Sequence, residues 1–474
     1  MAVRRRSSER GARFVAATLF AGGAALLVPA ALVEQGCAKE APKPSAEAPI
    51  VVGVSLGLTK DLSSFAGPLR NAVRAAEGEI NAGGGLLGRQ VRFDVVDDRS
   101  DEADFMVNVA QYFADRGVAA VLGPVSSGQV LLAEHIFAER QIVQLSPSAT
   151  SVELSTVQPD EERFLFRTTP ADDFQGAAVI LVATKTPRGL GVDGGAASTC
   201  NRLALVYIDN AYGTSMAKVV ADNFPKRGTP GQRKVVSEHE IALEAASSYA
   251  DIVPEIIAAN PECLALITYE KAAAQFVRDF KSAPGYAALE QKGFFFIATD
   301  GVFTQGFLDL SRSDPSNEAS PSTAEGVFGT NPDTQPGTTD YNAFRAIYSS
   351  YFPLAPGADA PPFAANTFDA AILIALAIQK AGSATDRLAI RDALKEVSRP
   401  GGRPVSPAEI GDALVELRGG GDVDYKGASG NVDLQDNGNV AGGFIVWKAV
   451  REESGVVYKT VTRFTTEELT EQLR

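Results

Sequence analysis

The chain has 474 residues, a length that suffices for two or three domains. Its apolar fraction of 45% is typical of globular proteins and excludes disorder over most of the chain. The net charge is −14, which argues against nucleic acid as a partner, because binding to phosphates needs a basic face.

Residues 1–36 predict a signal peptide. Five arginines precede an uncharged and mostly apolar run, residues 14–33, and Cys37 follows it closely. Three interpretations stay open: a cleaved signal with a lipid-anchored Cys37, a conventionally cleaved signal, and an uncleaved membrane anchor. Gly36 resembles the residue before the cysteine in bacterial lipoprotein signals, whereas Glu34 departs from their pattern.

The next segment, residues 37–49, predicts a lipid anchor and a flexible tether. Residues 38–49 combine Pro, Ala and charge without any apolar period. We therefore expect an exported, periplasmic protein whose globular body begins near residue 50.

From residue 50 onward, strand-like and helix-like segments alternate. The predicted strands of the first run are residues 50–56, 91–97, 119–122 and 142–145. The predicted helices between them are residues 68–80, 101–117 and 130–137. This alternation is typical of an α/β fold with a parallel sheet flanked by helices.

The same alternation restarts near residue 202, which predicts a second sheet of similar construction. Its predicted strands are residues 203–208, 235–241, 264–268 and 294–298, and its predicted helices are residues 215–224, 249–259 and 272–281. Residues 164–173 suit an extended crossover between the sheets. Further along, residues 363–381 predict a long apolar helix, and residues 430–447 predict a hairpin followed by a strand.

Two loops rich in hydroxyl groups follow successive predicted strands of the first sheet. One contains Ser126 and Ser127, and the other is the sequence Ser-Pro-Ser-Ala-Thr at residues 146–150. Ligands bind at the carboxyl ends of strands in open α/β sheets. Hydroxyls and free N–H groups at a helix start suit a small anion, so the sequence predicts a carboxylate site here.

The sequence offers few of the residues that usually carry out catalysis or bind metal ions. The chain has two histidines, His135 and His239, and neither has a Cys or His partner at ligand spacing. The glycine-rich residues 83–88 follow a predicted helix, whereas a dinucleotide loop follows a strand. We therefore expect no enzyme activity, no cofactor and no metal, and a binding site in place of a reaction centre.

Cys200 and Cys263 each lie just before a predicted strand. If these strands are parallel neighbours, the two cysteines lie about one strand spacing apart. An exported protein can oxidise such a pair to a disulfide. The alternative, two unpaired buried cysteines, stays open.

The body resembles the type I periplasmic binding proteins of the branched-chain amino-acid (Leu/Ile/Val) family, which capture substrates for ABC importers. The resemblance covers nearly all of residues 50–450. The segments that carry it most specifically are residues 80–84, 97–98, 123–127, 146–150, 166–168, 212–213, 300–301 and 324–326. It implies two lobes, joined by three crossovers, that close on a ligand. The implied boundaries are residues 50–171 plus about 332–440 for lobe 1, and 172–331 plus about 441–474 for lobe 2.

Ligand-binding roles are implied by the same resemblance, residue by residue. Ser127 and Thr150 would bind the α-carboxylate of an amino acid, and the backbone carbonyl of Ser148 would accept a hydrogen bond from its ammonium group. Ala149, which lies between Ser148 and Thr150 in the sequence, is also among the expected ligand-binding residues. Asp300 would pair with the ammonium from the second lobe, although the family member compared has Glu there. The aromatic positions would be Phe65, Tyr212 and Tyr269.

Simpler alternatives exist for these residues. Ser127 could be a helix cap, Thr150 and Asp300 turn residues, and the aromatic residues ordinary packing side chains. The match at Tyr269 could also shift by one residue onto Glu270, which would change the charge of the pocket.

The function that follows is an extracytoplasmic solute-binding protein that delivers an amino acid, or a related small carboxylated solute, to a membrane permease. A ligand-sensing or structural lipoprotein of the same fold is the alternative. We expect a monomer that contacts the membrane through its lipid anchor.

Overall fold

The computed structural model describes residues 45–185, 199–317, 320–453 and 455–473. The predicted signal peptide, Cys37 and most of the predicted tether lie outside the described residues. None of the described helices is both long and apolar enough to cross a membrane.

The first sheet has five strands in the order β2-β1-β3-β4-β5, and every neighbouring pair is parallel. The strands are β1 Ser45–Leu56, β2 Arg89–Asp97, β3 Ala120–Leu122, β4 Val143–Ser146 and β5 Leu165–Arg167. Residues 120–122 and 143–146 are buried throughout, as expected for strands covered by helices on both faces. The predicted parallel sheet is confirmed.

One boundary of this sheet differs from the prediction. Strand β1 begins at Ser45 and pairs there with Arg89 before a register shift. Residues 45–49 therefore belong to a strand, and the prediction that the tether extends to residue 49 is wrong. Apolar periodicity did not reveal this extension, because Glu47 and Ala48 are exposed and leave no buried period to read.

Three helices connect the strands of the first sheet: α1 Ser63–Ala82, α2 Ala103–Arg116 and α3 Ser127–Glu139. Helix α1 begins five residues before the predicted start at Pro68 and includes that proline. Its inner face buries Phe65, Leu69 and Val73, so packing against the sheet compensates for the hydrogen bond that a proline cannot donate.

The second sheet has seven strands in the order β14-β13-β10-β9-β8-β6-β7. The strands are β6 Arg202–Ile208, β7 Lys234–Ile241, β8 Cys263–Ile267, β9 Phe295–Ala298, β10 Phe328–Pro332, β13 Phe444–Glu452 and β14 Gly455–Phe464. Strands β6 to β10 are parallel, whereas β13 pairs antiparallel with β10 and with β14. A separate pair, β11 Arg403–Val405 and β12 Val423–Tyr425, is parallel.

The remaining helices alternate with strands in part, but α7 and α8 are consecutive and so are α10, α11 and α12. They are α4 Asp172–Thr184, α5 Ala211–Asn223, α6 Val253–Ala258, α7 Glu270–Ser282, α8 Tyr286–Gln291, α9 Gln305–Leu310, α10 Thr339–Tyr351, α11 Ala364–Ala381, α12 Arg387–Ser398, α13 Ile410–Arg418 and α14 Thr466–Leu473. Helix α11 is the predicted long apolar helix, and residues 364–379 are all buried.

The prediction of a hairpin within residues 430–447 is wrong. A tight turn does form there, with Gln435 N–H donating to the carbonyl of Asn439 at 2.8 Å. The turn itself bonds to β5, since Arg167 N–H donates to the carbonyl of Gly438 at 3.0 Å. The flanking Leu434 N–H donates to Ser398 Oγ at 3.4 Å and not to the other flank. The actual hairpin is β13 with β14, which joins the second sheet instead.

The hydrophobic core shows how the chain passes between the sheets. Buried residues of α1 and the first sheet share one core with buried residues of α10 to α13. The strands that follow, β13 and β14, pack with the second sheet. The chain therefore crosses between the sheets after β5, after β10 and before β13.

The structure joins Cys200 and Cys263 by a disulfide, with Cα atoms 5.8 Å apart. The residues around them pair as predicted, because β6 and β8 are parallel neighbours and Leu203 lies opposite Cys263. Both cysteines are fully buried.

Candidate ligand-binding cleft

A small cavity lies where the ends of strands from both sheets meet. Its volume is about 30 Å³, whereas a single water needs roughly 10–15 Å³. The residues that line it are Leu62, Phe65, Val125, Ser126, Ser127, Ser148, Thr150, Tyr212, Tyr269, Asp300, Gly301 and Phe363. Seven of the eight predicted site residues are among them. The exception, Ala149, is buried behind the wall.

The first loop of the cavity connects β3 to α3. Gly123 adopts a φ of 95° there, and a Cβ atom would collide with the backbone carbonyl oxygen of Ser55, so glycine is required. Ser126 caps α3 by accepting from Gln129 N–H at 3.3 Å. The cap is therefore Ser126, and Ser127 is the first residue of the helix.

Ser127 binds the second loop through its hydroxyl oxygen. The oxygen accepts from the backbone N–H of Thr150 and from that of Ser151, each at 3.1 Å. Since a hydroxyl has two acceptor lone pairs and one proton, these bonds leave the proton of Ser127 to donate. The Thr150 N–H, which the resemblance assigned to the ligand, is bonded to Ser127 in this structure.

The second loop is held in place by three further hydroxyl bonds. Ser146 Oγ donates to the carbonyl of Pro124 at 2.6 Å and accepts from Ala149 N–H at 3.1 Å. Ser148 Oγ donates to the carbonyl of Val125 at 2.9 Å. The two loops therefore form one rigid wall of the cavity.

A buried arginine supports this wall from behind. The guanidinium of Arg167 donates to the carbonyls of Ala149 and Ser151 at 3.3 and 2.8 Å, and to Asn439 Oδ1 at 2.7 Å. Burial lowers the pKa of Arg167 to about 10, so the group stays charged at neutral pH. The sequence showed Arg167 only as part of a crossover, and its support of the Thr150 loop was missed.

The opposite wall is built around Asp300, which follows β9. Tyr212 Oη donates to Asp300 Oδ1 at 2.9 Å and lies 2.6 Å from Thr299 Oγ1. Burial raises the pKa of Asp300, and the bond from Tyr212 opposes the increase. Asp300 is buried, and the groups that lower its pKa are the hydroxyl of Tyr212, the side chain of Gln175 and backbone N–H groups, none of which carries a positive charge. A positive ligand group beside it is therefore favoured.

Two stacked tyrosines complete this wall. The rings of Tyr212 and Tyr269 lie 5.8 Å apart with planes 6° from parallel, and Asn210 Nδ2 donates to Tyr269 Oη at 3.0 Å. Gly301 lies against both rings, and a Cβ atom there would approach the carbonyl oxygen of Thr268 to 2.7 Å.

Of the two residues at the uncertain position, Tyr269 lines the cavity and Glu270 does not. Glu270 is buried beside α9, where its carboxylate accepts from Thr304 Oγ1 at 2.5 Å. Glu270 therefore helps to hold α7 against the start of α9, and it does not line the cavity.

One end of the cavity is apolar. Phe65 and Phe363 face each other with ring centroids 6.1 Å apart, and Leu62 and Val125 lie beside them. The sequence placed Phe363 at the start of a helix, whereas it lies just before α11 with a φ of 60°. With this left-handed backbone conformation its ring lies against Phe65, and the residue types around Phe363 give no signal of that conformation.

Direct bonds join the two sides of the cleft. Val152 N–H, in the loop after Thr150, donates to Ser215 Oγ of α5 at 3.0 Å. Lys271 Nζ lies 3.5 Å from Asp61 Oδ1 at the cleft edge. The cavity is too small for an amino acid while these bonds hold, so binding requires the two walls to separate or their side chains to shift.

Among the described residues, no basic side chain is hydrogen-bonded to Ser127. Its described partners are backbone N–H groups, and neither histidine lines the cavity. His239 lies in β7, where its ring contacts Ser237 Oγ at 2.8 Å. Within the described residues, no group of three or more potential ligands is placed to hold a metal ion.

The chain is similar to known proteins over most of its length. A family model described as periplasmic binding protein matches residues 49–407. The chemotactic signal transduction system substrate-binding protein of Halobacterium salinarum is 27% identical over 398 residues, which cover 81% of this chain and 83% of that protein.

Two solved structures show the same fold. One is a branched-chain amino acid transporter substrate-binding protein from Streptococcus pneumoniae in complex with isoleucine, with a TM-score of 0.65, 17% identity, and coverage of 88% of this chain and 100% of that chain. The other is an ABC-transporter solute-binding protein from R. palustris in complex with 4-hydroxybenzoate, with a TM-score of 0.66, 15% identity, and coverage of 88% and 97%.

Proposed function

The chain belongs to the periplasmic binding protein family, and from that premise we propose that it captures an amino acid in the cleft and delivers it to a membrane permease. In this proposal the two sheets and their helices are the two lobes, divided at residues 171/172, about 331/332 and about 440/441. The protein acts outside the cytoplasm, anchored through Cys37, and carries out no catalysis.

The observation that carries this proposal is the opposed chemistry of the two cleft walls. On one wall, the Ser127 hydroxyl has both lone pairs occupied and its proton available, which suits a carboxylate. On the other wall, Asp300 is buried beside Tyr212, which suits an ammonium group. An α-amino acid carries both groups on one carbon atom.

The side-chain end of the ligand would lie between Phe65 and Phe363. This apolar end favours a branched-chain or other apolar amino acid, as in the isoleucine complex of the Streptococcus pneumoniae protein. An aromatic acid, as in the R. palustris complex, would satisfy the hydroxyl wall but leave Asp300 without a positive partner.

Delivery to a permease requires that the ligand shift the protein toward a closed form. A ligand can do so only if it binds the closed form more tightly than the open one. The ligand would bind the closed form more tightly because it can bond to Ser127 on one wall and to Asp300 on the other at the same time only when the walls approach each other.

A thermal-shift screen tests the proposal. We expect L-leucine, L-isoleucine or L-valine to raise the melting temperature, since a ligand at 100 times its dissociation constant stabilises by about 2.7 kcal/mol. The panel includes 4-hydroxybenzoate and 4-methylpentanoate, which carry a carboxylate but no ammonium. A shift with these acids and none with any amino acid would contradict the proposal.

Ligand sensing is a second candidate, because the Halobacterium salinarum relative is named as part of a chemotactic signal transduction system. Both functions use the same cleft, so ligand binding alone does not separate them. Permease and ATPase genes beside this one would favour transport, whereas a kinase or receptor gene would favour sensing.

A further inference from the structure

Helix α5 follows β6 of the second sheet and packs against the part of the chain that contains the first sheet. Tyr212, Met216 and Ala217 of this helix are buried in the core that α1 and the first sheet share. Ser215 lies among them and is only 7% exposed, but it does not line the cavity. This face of α5 therefore carries a buried serine hydroxyl that the ligand site described above does not use.

The hydroxyl of Ser215 bonds to the backbone of the opposite wall. Val152 N–H donates to Ser215 Oγ at 3.0 Å. Val152 is the first residue of a short 3₁₀ helix, Val152–Ser155, so its N–H has no acceptor within that helix. Thr150, two residues before Val152, lines the cavity, whereas Val152 does not. The bond therefore ties the second hydroxyl loop to α5 just outside the cavity.

The contact at the cleft edge differs from this bond in its environment. Lys271 Nζ lies 3.5 Å from Asp61 Oδ1, and the two side chains are 46% and 24% exposed. Exposed ion pairs contribute little to stability, and salt screens them. The loss of an acceptor from an N–H that the protein shields from water has a larger effect. Of the two contacts, we therefore expect the bond of Ser215 to hold the walls together more strongly.

The bond stabilises the closed cleft and not the fold of either wall. When the walls separate, water can solvate both Val152 N–H and the hydroxyl of Ser215, so the bond contributes only to the closed form. Because neither residue lines the cavity, side chains there can shift around a ligand without breaking it. A ligand held between the walls leaves only after they separate, and that step breaks the bond.

We propose that Ser215 is a positioning residue for closure of the cleft, and that its bond to Val152 N–H sets how long a ligand stays bound. The inference rests on the proposed function of the cleft and names a residue that regulates it without touching the ligand. Since the bond does not involve the ligand, it slows the release of every ligand by the same factor. Ser127 and Asp300, in contrast, distinguish ligands by their charged groups.

Release kinetics test the role of the hydroxyl. Dissociation of L-leucine, L-isoleucine and L-valine is measured by stopped flow for the full chain and for Ser215→Ala. We expect about tenfold faster release in the variant, by the same factor for each ligand, because the closed form loses the acceptor of a shielded N–H. An unchanged rate, or a factor that differs widely between the ligands, would overturn the inference.

Thr214→Ala is the matched control. Its hydroxyl lies one residue away on the same helix, is exposed, and donates to the carbonyl of Asn210 at 2.8 Å. The variant loses a hydroxyl from α5 without losing a bond between the walls, so it should release L-leucine at the wild-type rate. Release as fast as in Ser215→Ala would assign the effect to the stability of α5 and contradict the role of Ser215.

A second variant removes the donor in place of the acceptor. Val152→Pro deletes the N–H, and the position suits proline because it begins a helix and follows Ser151 with a ψ of 138°. Val152→Pro, alone or combined with Ser215→Ala, should release L-leucine as fast as Ser215→Ala alone, since all three lack the same bond. Additive effects would refute the coupling. Ser215 also lowers the pKa of Asp172, and Val152→Pro leaves that interaction in place.

Lys271→Met compares the ion pair with the buried bond. This variant should release L-leucine about twofold faster at low salt and at the wild-type rate in about 1 M NaCl, because salt screens an exposed pair. The effect of Ser215→Ala should persist in both. A larger effect in Lys271→Met than in Ser215→Ala would show that the ion pair holds the cleft, and the inference would be wrong.

The two proposals fail in different ways. If the wild type binds no L-leucine, the proposed ligand class is in doubt, and hydrogen exchange in the free protein still decides the role of Ser215. We expect the amide of Val152 to exchange at least about tenfold faster in Ser215→Ala than in the wild type or in Thr214→Ala. Equal exchange rates in Ser215→Ala and the wild type overturn the inference. If Ser215→Ala does not fold, Val152→Pro supplies the release measurement.

Discussion

The hydroxyl of Ser127 accepts the backbone N–H of Thr150 at 3.1 Å, although the two residues belong to different loops. Strands β3 and β4 are parallel neighbours, so their carboxyl ends bring these loops together. The bond turns two separate polar loops into one wall, and it orients the serine proton for donation.

Replacing Ser127 by Ala should test this wall. The change removes an acceptor from the N–H groups of Thr150 and Ser151, which should cost about 1–3 kcal/mol of stability. We also expect at least about tenfold weaker binding of the best amino acid from the thermal-shift screen, because one donor to its carboxylate is lost. Urea unfolding and calorimetry measure the two effects.

Ser151→Ala is the matched control for that change. Its hydroxyl lies in the same loop and accepts from Glu153 N–H at 3.3 Å, but it does not line the cavity. Ser151→Ala should lower stability and leave the affinity nearly unchanged. An unchanged affinity in Ser127→Ala as well would remove Ser127 from the ligand site.

Asp300 and Phe65 should contribute very differently to affinity for an amino acid. Asp300→Ala deletes the buried acid that faces the ammonium, and truncation of one partner of such a pair costs about 2–5 kcal/mol. Phe65→Leu keeps an apolar side chain and should cost less than about 1.5 kcal/mol. Titration of both variants with the same amino acid measures the difference. Wild-type affinity in Asp300→Ala would refute its pairing with the ammonium.

The disulfide between Cys200 and Cys263 should stabilise the second sheet. The two residues are 63 positions apart, and the chain-entropy model gives about 4 kcal/mol for a loop of this length. We expect reductant to lower the melting temperature of the wild type and to leave the double Cys→Ala variant unaffected. Two free thiols other than Cys37 in the denatured, unreduced protein would show that the bond does not form.

Asp98 should make stability depend on pH. Ser55 Oγ donates to one of its oxygens at 2.7 Å and Ser100 N–H to the other at 3.0 Å, yet burial raises its pKa to about 7. The unfolded chain ionises this group near pH 4, whereas the folded chain keeps the proton up to about pH 7. Its contribution to stability should therefore fall as pH rises from about 4 to about 7 and level off above.

Asp98→Asn should remove that part of the pH dependence, because an amide resembles the protonated acid. Free energies of unfolding in urea, measured across this range, provide the comparison. The control is Asp104→Asn, which changes an exposed acid in the first turn of α2 and should keep the wild-type slope. Parallel curves for Asp98→Asn and the wild type would contradict the assignment.

Local patterns predicted the fold well where burial and hydrogen bonding coincide along the chain. The strands at residues 50–56 and 203–208 and the buried helix at residues 363–381 are mostly apolar. The second strand and the helix begin within one residue of their predicted starts, whereas the first strand begins five residues earlier than predicted. The pattern failed at residues 430–447, where a turn is present but Gly438 within it bonds to Arg167 and the flanking Leu434 bonds to Ser398. The local spacing of apolar residues does not show which distant segment a strand or turn will hydrogen-bond to.

The sequence by itself determined the two hydroxyl loops, the alternation of strands and helices, and the residues that line most of the cavity. Only the tertiary structure decided that Ser127 holds Thr150, that Phe363 contacts Phe65, and that Arg167 supports the Thr150 loop from behind. The physical reason is that residue type and spacing set local conformation and burial, whereas contacts between the two sheets depend on three crossovers that bring distant segments together.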